Sequence, residues 1–239
     1  MLSILKFIYF WLFGIKKEFL FNFEFKGKKI SMEIQAARTD IAMITEIFCF
    51  QVYAINHKNL IEPKLIIDGG ANKGSTAIFF SILYPNAEVH CYEPNAKIFQ
   101  TLEKNLKINK VNYILFNKGL SDINGSVFFE ISQNHQYSSI SQNQNGNKID
   151  VVKIDDQYKN RKIDILKLDV EGEEEKIICS LSNETDIGII TAEIHYDKVV
   201  FTNIKDKIIN LGYEICDPTY NHLLLNSSDP YPILTCVKI

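Results

Sequence analysis

Beyond residue 63 the apolar positions fall into two alternating rhythms. Short dense apolar runs at Leu65–Ile67, Glu88–Tyr92, Asn112–Phe116, Ile163–Leu168 and Ile187–Ile194 have the length of buried strands. Between them lie segments that are apolar at helical spacing. Ser75–Leu83 is stopped by Pro85, and Asn95–Asn109 carries Ile98, Leu102 and Leu106 four apart. Glu173–Leu181 has three Glu in its first turn, where the helix dipole favours acids, and Val199–Leu211 is closed by Gly212. Strands alternating with helices predict a parallel sheet. Tyr213–Cys216 and Ile233–Ile239 read as two closing strands. The expected fold is therefore an α/β Rossmann-like sheet, mostly parallel with a C-terminal antiparallel strand.

The rhythm is absent from residues 1–60, which read as a helical and hairpin extension ahead of a main domain at 61–239. Phe19, Phe21, Phe23 and Phe25 alternate, as do Ile30, Met32 and Ile34, and the Lys26-Gly27-Lys28 tip between them signals a hairpin. Ile41, Ile44, Ile47, Phe48 and Val52 predict a helix over Asp40–Asn56. Leu2–Ile15 is nearly all apolar but falls short of the about 20 residues a spanning helix needs, and no small-residue cleavage site follows it. It reads either as an interfacial helix, with Lys16 and Lys17 towards anionic lipid, or as a helix packed on the domain or a partner subunit. The rhythm also breaks at 119–160. There Val127–Phe129 and Val151-Val152 are strand-like, and the polar stretch Gln133–Lys148 reads as a surface loop or as a lid over a cleft.

Composition narrows the class. The chain is 46% hydrophobic with a net charge of -3, which supports a sizeable core and argues against a nucleic-acid partner. Residues 1–30 are nonetheless basic, with six Lys against two Glu, so a peripheral membrane contact there is one expectation. Five scattered cysteines form no CxxC pair, which points to a reduced, cytoplasmic protein, with the inner face of the membrane as the alternative station.

Three clusters carry candidate chemistry. Asp68-Gly69-Gly70-Ala71-Asn72-Lys73-Gly74 joins the first apolar strand to the first helix, where glycines permit a tight turn beside the helix N-terminus. Glu93 ends the next strand and can accept hydrogen bonds from both hydroxyls of a ribose. That pair serves NAD and S-adenosylmethionine (SAM) alike. Two details favour SAM: Ala71 stands where a dinucleotide turn needs its second glycine, and Asp68 would repel a pyrophosphate but suits a sulfonium and an α-amino group. In the second cluster, Asp164–Gly172, the residues Lys167, Asp169 and Glu171 alternate onto one face. Lys167 needs a carboxylate partner there, and Asp169 falls at the carboxyl end of a strand, where ligands of open α/β sheets bind. The third cluster, Glu193-Ile194-His195-Tyr196-Asp197, puts Glu193 and His195 on one face by the same alternation.

Together these residues resemble the FkbM family of SAM-dependent methyltransferases over about residues 61–200. The likeness rests on Ile67–Gly74, on Tyr92-Glu93-Pro94-Asn95, and on Leu120-Ser121-Asp122 followed by Gly125. It extends to Ser138-Ser139, to Val151–Asp156, and above all to Ile163–Gly172. Gly69 departs from the aliphatic residue often found there. The resemblance implies a class I SAM-methyltransferase fold and O-methylation of a hydroxyl, often on sugars or polyketide-like products. It also implies that Asp68, Gly70, Asn72 and Gly74 line the methionine end of SAM, that Glu93 holds the ribose, and that Ser121 lies near the adenine. Pro94, Asn95 and Asp169 count with the cofactor residues.

A hydroxyl must lose its proton to accept a methyl group, so a base or a metal is expected. His195 and Asp169 are the candidate bases, with Glu171 beside them. A Mg²⁺ held by Asp169 and Glu193 is the alternative, since hard oxygen ligands suit it. The expected acceptor is a glycan or small molecule. Competing readings are an NAD-linked oxidoreductase, a methyltransferase acting on a non-sugar molecule, and a non-catalytic Rossmann module.

Overall fold

A computed structural model of the chain describes residues 8–9, 17–35, 38–57, 60, 62–130, 139–141, 147–216 and 233–239. The chain enters through the expected hairpin, β1 (Glu18–Phe25) and β2 (Lys28–Gln35), paired in register from Glu18↔Gln35 to Phe25↔Lys28. Lys26 and Gly27 both have positive φ, 47° and 74°, the backbone that matches a two-residue turn to the twist of its strands. Helix α1 (Arg38–Ile44) follows and runs into a π-helical turn, Thr45–Phe50. The helix expected to reach Asn56 stops here, because Gln51 turns left-handed at φ 53° and ends the ladder.

The βα repeat then builds a seven-stranded sheet. Its first half is β3 (Leu65–Gly69), α2 (Ser75–Leu83), β4 (Glu88–Tyr92), α3 (Ala96–Ile108) and β5 (Tyr113–Phe116). The next strands, β6 (Gly119–Ser121), β7 (Gly125–Glu130), β8 (Ser139–Ser141) and β9 (Asn147–Lys153), form a separate four-stranded sheet in the order β6-β9-β7-β8. The polar stretch read as a loop thus contributes β8 and the first residues of β9; its other residues lie outside those described, and so does its reading as a lid. After the short helix α4 (Ile154–Gln157) the main sheet resumes with β10 (Lys162–Leu168), α5 (Glu174–Ser180), β11 (Asp186–Glu193), α6 (Phe201–Asn210), β12 (Tyr213–Cys216) and β13 (Ile233–Lys238).

The strand order is β12-β13-β11-β10-β3-β4-β5. Neighbours are parallel except β13, which inserts between β11 and β12 and runs antiparallel to both. The chain leaves β3 towards β4 on one side and later returns to lay β10 on the other. The crevice beyond the carboxyl ends of β3 and β10 is therefore the topological switch point, the place where open α/β sheets bind ligands.

Each face of the sheet packs a core. On one, Leu65 and Ile67 of β3 join Leu166, Leu168, Ile190 and Ile204. On the other, Ile66 joins Phe79, Val89 and Ile165, and the same cluster takes in Phe19, Phe21, Met32, Ile34 and Phe48 from the N-terminal segment. The hairpin thus shares its hydrophobic core with α2 and the sheet. The outer edge of β2 is completed by side chains of α3. Asn105 accepts from Glu33 N (2.6 Å) and donates to Glu33 O (3.2 Å), while Asn109 does the same with Ser31 (3.1 and 2.8 Å). Two asparagines one helical turn apart therefore mimic a neighbouring strand and satisfy an exposed β edge.

Of the N-terminal apolar run only Ile8 and Tyr9 are described, and both are exposed; its reading as an interfacial or packed helix otherwise lies outside the described residues. Among the described residues no helix is long and apolar enough to cross a membrane. All five cysteines are free.

Candidate active site

The glycine turn is shaped by what it abuts. At the end of β3, Gly70 N and Ala71 N donate to Tyr92 O (3.1 and 3.0 Å), and Asp169 N donates to Gly69 O (3.1 Å). The turns after β3 and β10 are thereby laced together. Gly70 has φ +73°, and a Cβ there would sit 1.8 Å from the carbonyl oxygen of Asp169. No side chain fits, so glycine is required for the close approach as well as for the backbone. Gly74, at φ +91°, starts α2 where a Cβ would meet Leu102 at 2.9 Å. The result is an open backbone cradle at a helix N-terminus.

Glu93 stands at the edge of that cradle. Asn72 N donates to its Oε2 (3.0 Å) and Asn95 N to its Oε1 (2.8 Å). One backbone bond fixes each oxygen, and each keeps a further lone pair for a hydroxyl donor. Burial raises the carboxyl pKa to about 7, against the lowering effect of the two backbone bonds and of Lys167. A fixed carboxylate beside a glycine cradle fits a ribose diol, so the residues present suit SAM. Asn95 itself is a helix cap: its side chain accepts from Lys97 N (3.0 Å) and Ile98 N (3.3 Å) at the start of α3. Its side chain is thus engaged in the helix cap, while its N–H holds Glu93 in place. Pro94 borders a groove of about 570 Å³ together with Lys97, Asn117 and Lys148. Ser121 is buried, and its hydroxyl donates to Asp122 (3.1 Å).

The structure corrects the role given to Asp68. Its side chain is fully buried, 3.0 Å from Lys167 Nζ on the neighbouring strand, and not open to a ligand. Lys167, equally buried, also donates to the carbonyls of Gly69 (3.3 Å) and Gly70 (3.1 Å) and lies 3.7 Å from Asp169. Burial alone would lower the Lys167 pKa; the charges of Asp68 and Asp169 outweigh it and raise it. Asp68 thus acts on the turn from behind, through a lysine that grips the turn's carbonyls. Lys167 needed a carboxylate, and it found two.

A cavity of about 50 Å³ opens in front of this lysine, walled by Tyr53, Asn72, Lys167, Asp169 and Glu193. Gly70 and Ala71 reach it from the cofactor turn, and Met43 and Glu46 reach it from the N-terminal segment. Tyr53 was not expected here. Its hydroxyl donates to Glu193 Oε2 (3.3 Å), and its ring faces Lys167 Nζ at 5.4 Å. A second unforeseen tie is the partly buried ion pair between Lys73 of the glycine turn and Asp40 of α1, at 2.6 Å. Neither tie was announced by the sequence, which reads as one continuous helix over Asp40–Asn56.

Glu193 and His195 part company. β11 ends at Glu193 and the chain turns at once, with Tyr196 N donating to Ile194 O (3.1 Å) and Val199 N to His195 O (3.1 Å). Alternation therefore no longer governs His195. Its ring is buried between two acids, Nδ1 3.0 Å from Glu174 and Nε2 3.3 Å from Glu171. Burial opposes its protonation, but the hydrogen bonds to Glu171 and Glu174 and the charges of Glu174 and Asp169 push its pKa up to about 10. A histidine that holds its proton at neutral pH is no general base, so that expected role is withdrawn. Glu171, expected to be catalytic, instead pairs with His195 and with Lys198 (3.4 Å). Glu174 is the organiser the sequence concealed. Fully buried, it accepts from Val170 N (3.0 Å) and Gly172 N (3.0 Å) as well as facing His195. The metal expectation also shifts. Among the described residues the donors that converge, all within 4.8 Å, are Asp169, Glu171 and His195, with Glu193 outside the group.

Sheet order, glycine cradle and strand-end acid define a class I SAM-dependent methyltransferase. The chain belongs to the FkbM methyltransferase family, whose domain model matches residues 68–215. Solved structures share the fold. A protein of Pyrococcus horikoshii assigned as a transferase aligns with a TM-score of 0.52 and 14% identity, covering 98% of this chain and 82% of its own. The fibrillarin pre-rRNA processing protein of Methanococcus jannaschii aligns with a TM-score of 0.53 and 12% identity, covering 93% and 89%. No curated protein matches the sequence.

Proposed function

We propose that this methyltransferase O-methylates a hydroxyl of a sugar in a polysaccharide or glycan precursor. The observation that carries the reading is the carboxylate-walled cavity joined to the cofactor cradle. Gly70 and Asn72 bound it on one side, Asp169 and Glu193 on the other. At about 50 Å³ it has room for a reacting hydroxyl and its carbon rather than for a whole ring. Its wall is mixed, with Met43, Ile47 and Val52 alongside the polar Glu46, Asn72, Asp169 and Glu193; those polar groups offer acceptors to a polyol.

When bound, SAM supplies an electrophilic methyl on a sulfonium. Glu93 holds the ribose, and the backbone of Gly70–Gly74 holds the amino-acid end. Lys167 keeps the turn's carbonyls in place and so keeps the cofactor turn and the acceptor cavity in register, since much of the rate of an in-line transfer comes from positioning. The proton leaving the acceptor passes to a carboxylate of the cavity wall, Asp169 or Glu193. Burial raises the Asp169 pKa, against the opposing charge of Lys167, which makes it a stronger base than an exposed carboxylate. The excess of lysine over residues 1–30 fits an acceptor presented at an anionic membrane, such as a lipid-linked glycan precursor.

Incubation with methyl-labelled SAM and a cell-envelope glycan extract, followed by mass spectrometry, tests the reading. It predicts label as a methyl ether on a sugar. Label on nitrogen or carbon, or on non-sugar products alone, contradicts it.

A further inference from the structure

We infer that Asp169, Glu171 and His195 form a binding site for one divalent transition-metal ion at the carboxyl ends of β10 and β11. The inference rests on the methyl-transfer reading above and deepens it, because Asp169 belongs both to this group and to the acceptor cavity.

The donor set is mixed: one imidazole nitrogen and two carboxylates, reached from two separate turns and all within 4.8 Å of one another. Metal–ligand bonds of about 2.0–2.2 Å put neighbouring donors about 3.0–3.5 Å apart. The 3.3 Å between His195 Nε2 and Glu171 Oε2 matches that span.

The support behind the donors is what distinguishes this group from a surface cluster. Metal-bound histidines nearly always donate their other ring nitrogen to a carboxylate, which fixes tautomer and orientation. Here Nδ1 faces Glu174 at 3.0 Å, and Glu174 is fully buried. The same carboxylate accepts from Val170 N and Gly172 N, so it fixes the loop carrying Asp169 and Glu171 together with the ring. With Nδ1–H given to Glu174, Nε2 is the nitrogen left to face an ion. Loading is a balanced exchange: the ion enters and a proton leaves Nε2 for solvent. Lys198, now 3.4 Å from Glu171 Oε2, also reaches the Glu171 carbonyl (3.2 Å) and can rest there. An imidazole in the set favours a first-row transition ion over Mg²⁺, which prefers oxygen alone. With Asp169 committed to the ion, Glu193, which already accepts from the Tyr53 hydroxyl, is the wall carboxylate that takes the acceptor's proton.

The test uses the full chain stripped with chelator and titrated with Mn²⁺, the free ion followed by electron paramagnetic resonance. One Mn²⁺ per chain is expected, with Mg²⁺ at least tenfold weaker in competition. Glu171→Gln should weaken Mn²⁺ at least tenfold and His195→Asn should abolish saturable binding. Thermal melting serves as the check on folding, and Glu171→Gln carries the test if His195→Asn does not fold. No saturable Mn²⁺ binding by the wild type, or equal affinity in a folded Glu171→Gln, overturns the inference. A sugar methyl ether formed in the extract assay without Mn²⁺ binding would sink the ion site alone. Saturable Mn²⁺ binding with label only on non-sugar products would sink the sugar reading alone.

Discussion

Single side chains at this site answer to their surroundings more than to their type. Glu93, with its pKa near 7, keeps a proton that an ordinary carboxyl with pKa 4.5 has lost. Two consequences follow from the sign of that shift. Between pH 4.5 and 7 the folded chain binds a proton the unfolded chain has released, so this residue's contribution to stability weakens as pH rises through that window. Ribose hydroxyls bind the ionised form, so SAM affinity should fall about tenfold from pH 8 to pH 6, as measured by calorimetry. A flat profile would show that Glu93 does not titrate at the site. Asp68 makes a different prediction. It is buried beside a buried lysine; breaking such a pair costs about 3–5 kcal/mol when one charge is left uncompensated, and Asp169 at 3.7 Å keeps part of that compensation, which puts the cost near the lower figure. Asp68→Asn should therefore lower Tm by roughly 10 °C in a chain of this size. An unchanged Tm would mean that Lys167 is neutralised elsewhere. Asp68, Glu93 and Asp169 were legible as a set from their places at strand ends. What each does was not, because burial and partners come from strands far apart in sequence.

Among the elements, the βα units were legible because each repeats one physical pattern: a run buried on both faces, then a helix with one apolar face. Of the small sheet, β7 and β9 were legible at Val127–Phe129 and Val151-Val152, but β6 and β8 were not, because each is only three residues long. The helix over 40–56 ran on in the sequence but not in the molecule, since Gln51 adopts a backbone that side chains rarely announce. His195 was misplaced by one assumption, that β11 continues past Glu193. The contact of α3 with the hairpin is an element-scale feature that can be measured. Asn105 is fully buried, and besides capping the edge of β2 it donates to Lys73 O (2.9 Å) in the glycine turn. Asn105→Ala removes the partner of three part-buried backbone groups, Glu33 N, Glu33 O and Lys73 O, and should cost ~2–3 kcal/mol, seen as a lower urea midpoint with an unchanged slope. A loss below ~0.5 kcal/mol would show that water replaces those bonds.

The whole molecule joins a half that carries the glycine cradle and Glu93, β3 to β5, to a half that carries the acids of β10 and β11, with the N-terminal segment lying over their shared crevice. Tyr53 and Asp40 bind that segment to the crevice at two points, on Glu193 and Lys73. The segment lies outside the span matched by the family domain, which ends the region where sequence resemblance could inform its role. The central claim is that SAM lies across the ends of β3 and β4 with its ribose on Glu93. Isothermal titration of SAM into the wild type and into Glu93→Ala tests it most directly at pH 8. The account predicts one site per chain in the wild type and at least a tenfold loss of affinity in a folded variant. Equal affinity in the two proteins would contradict it.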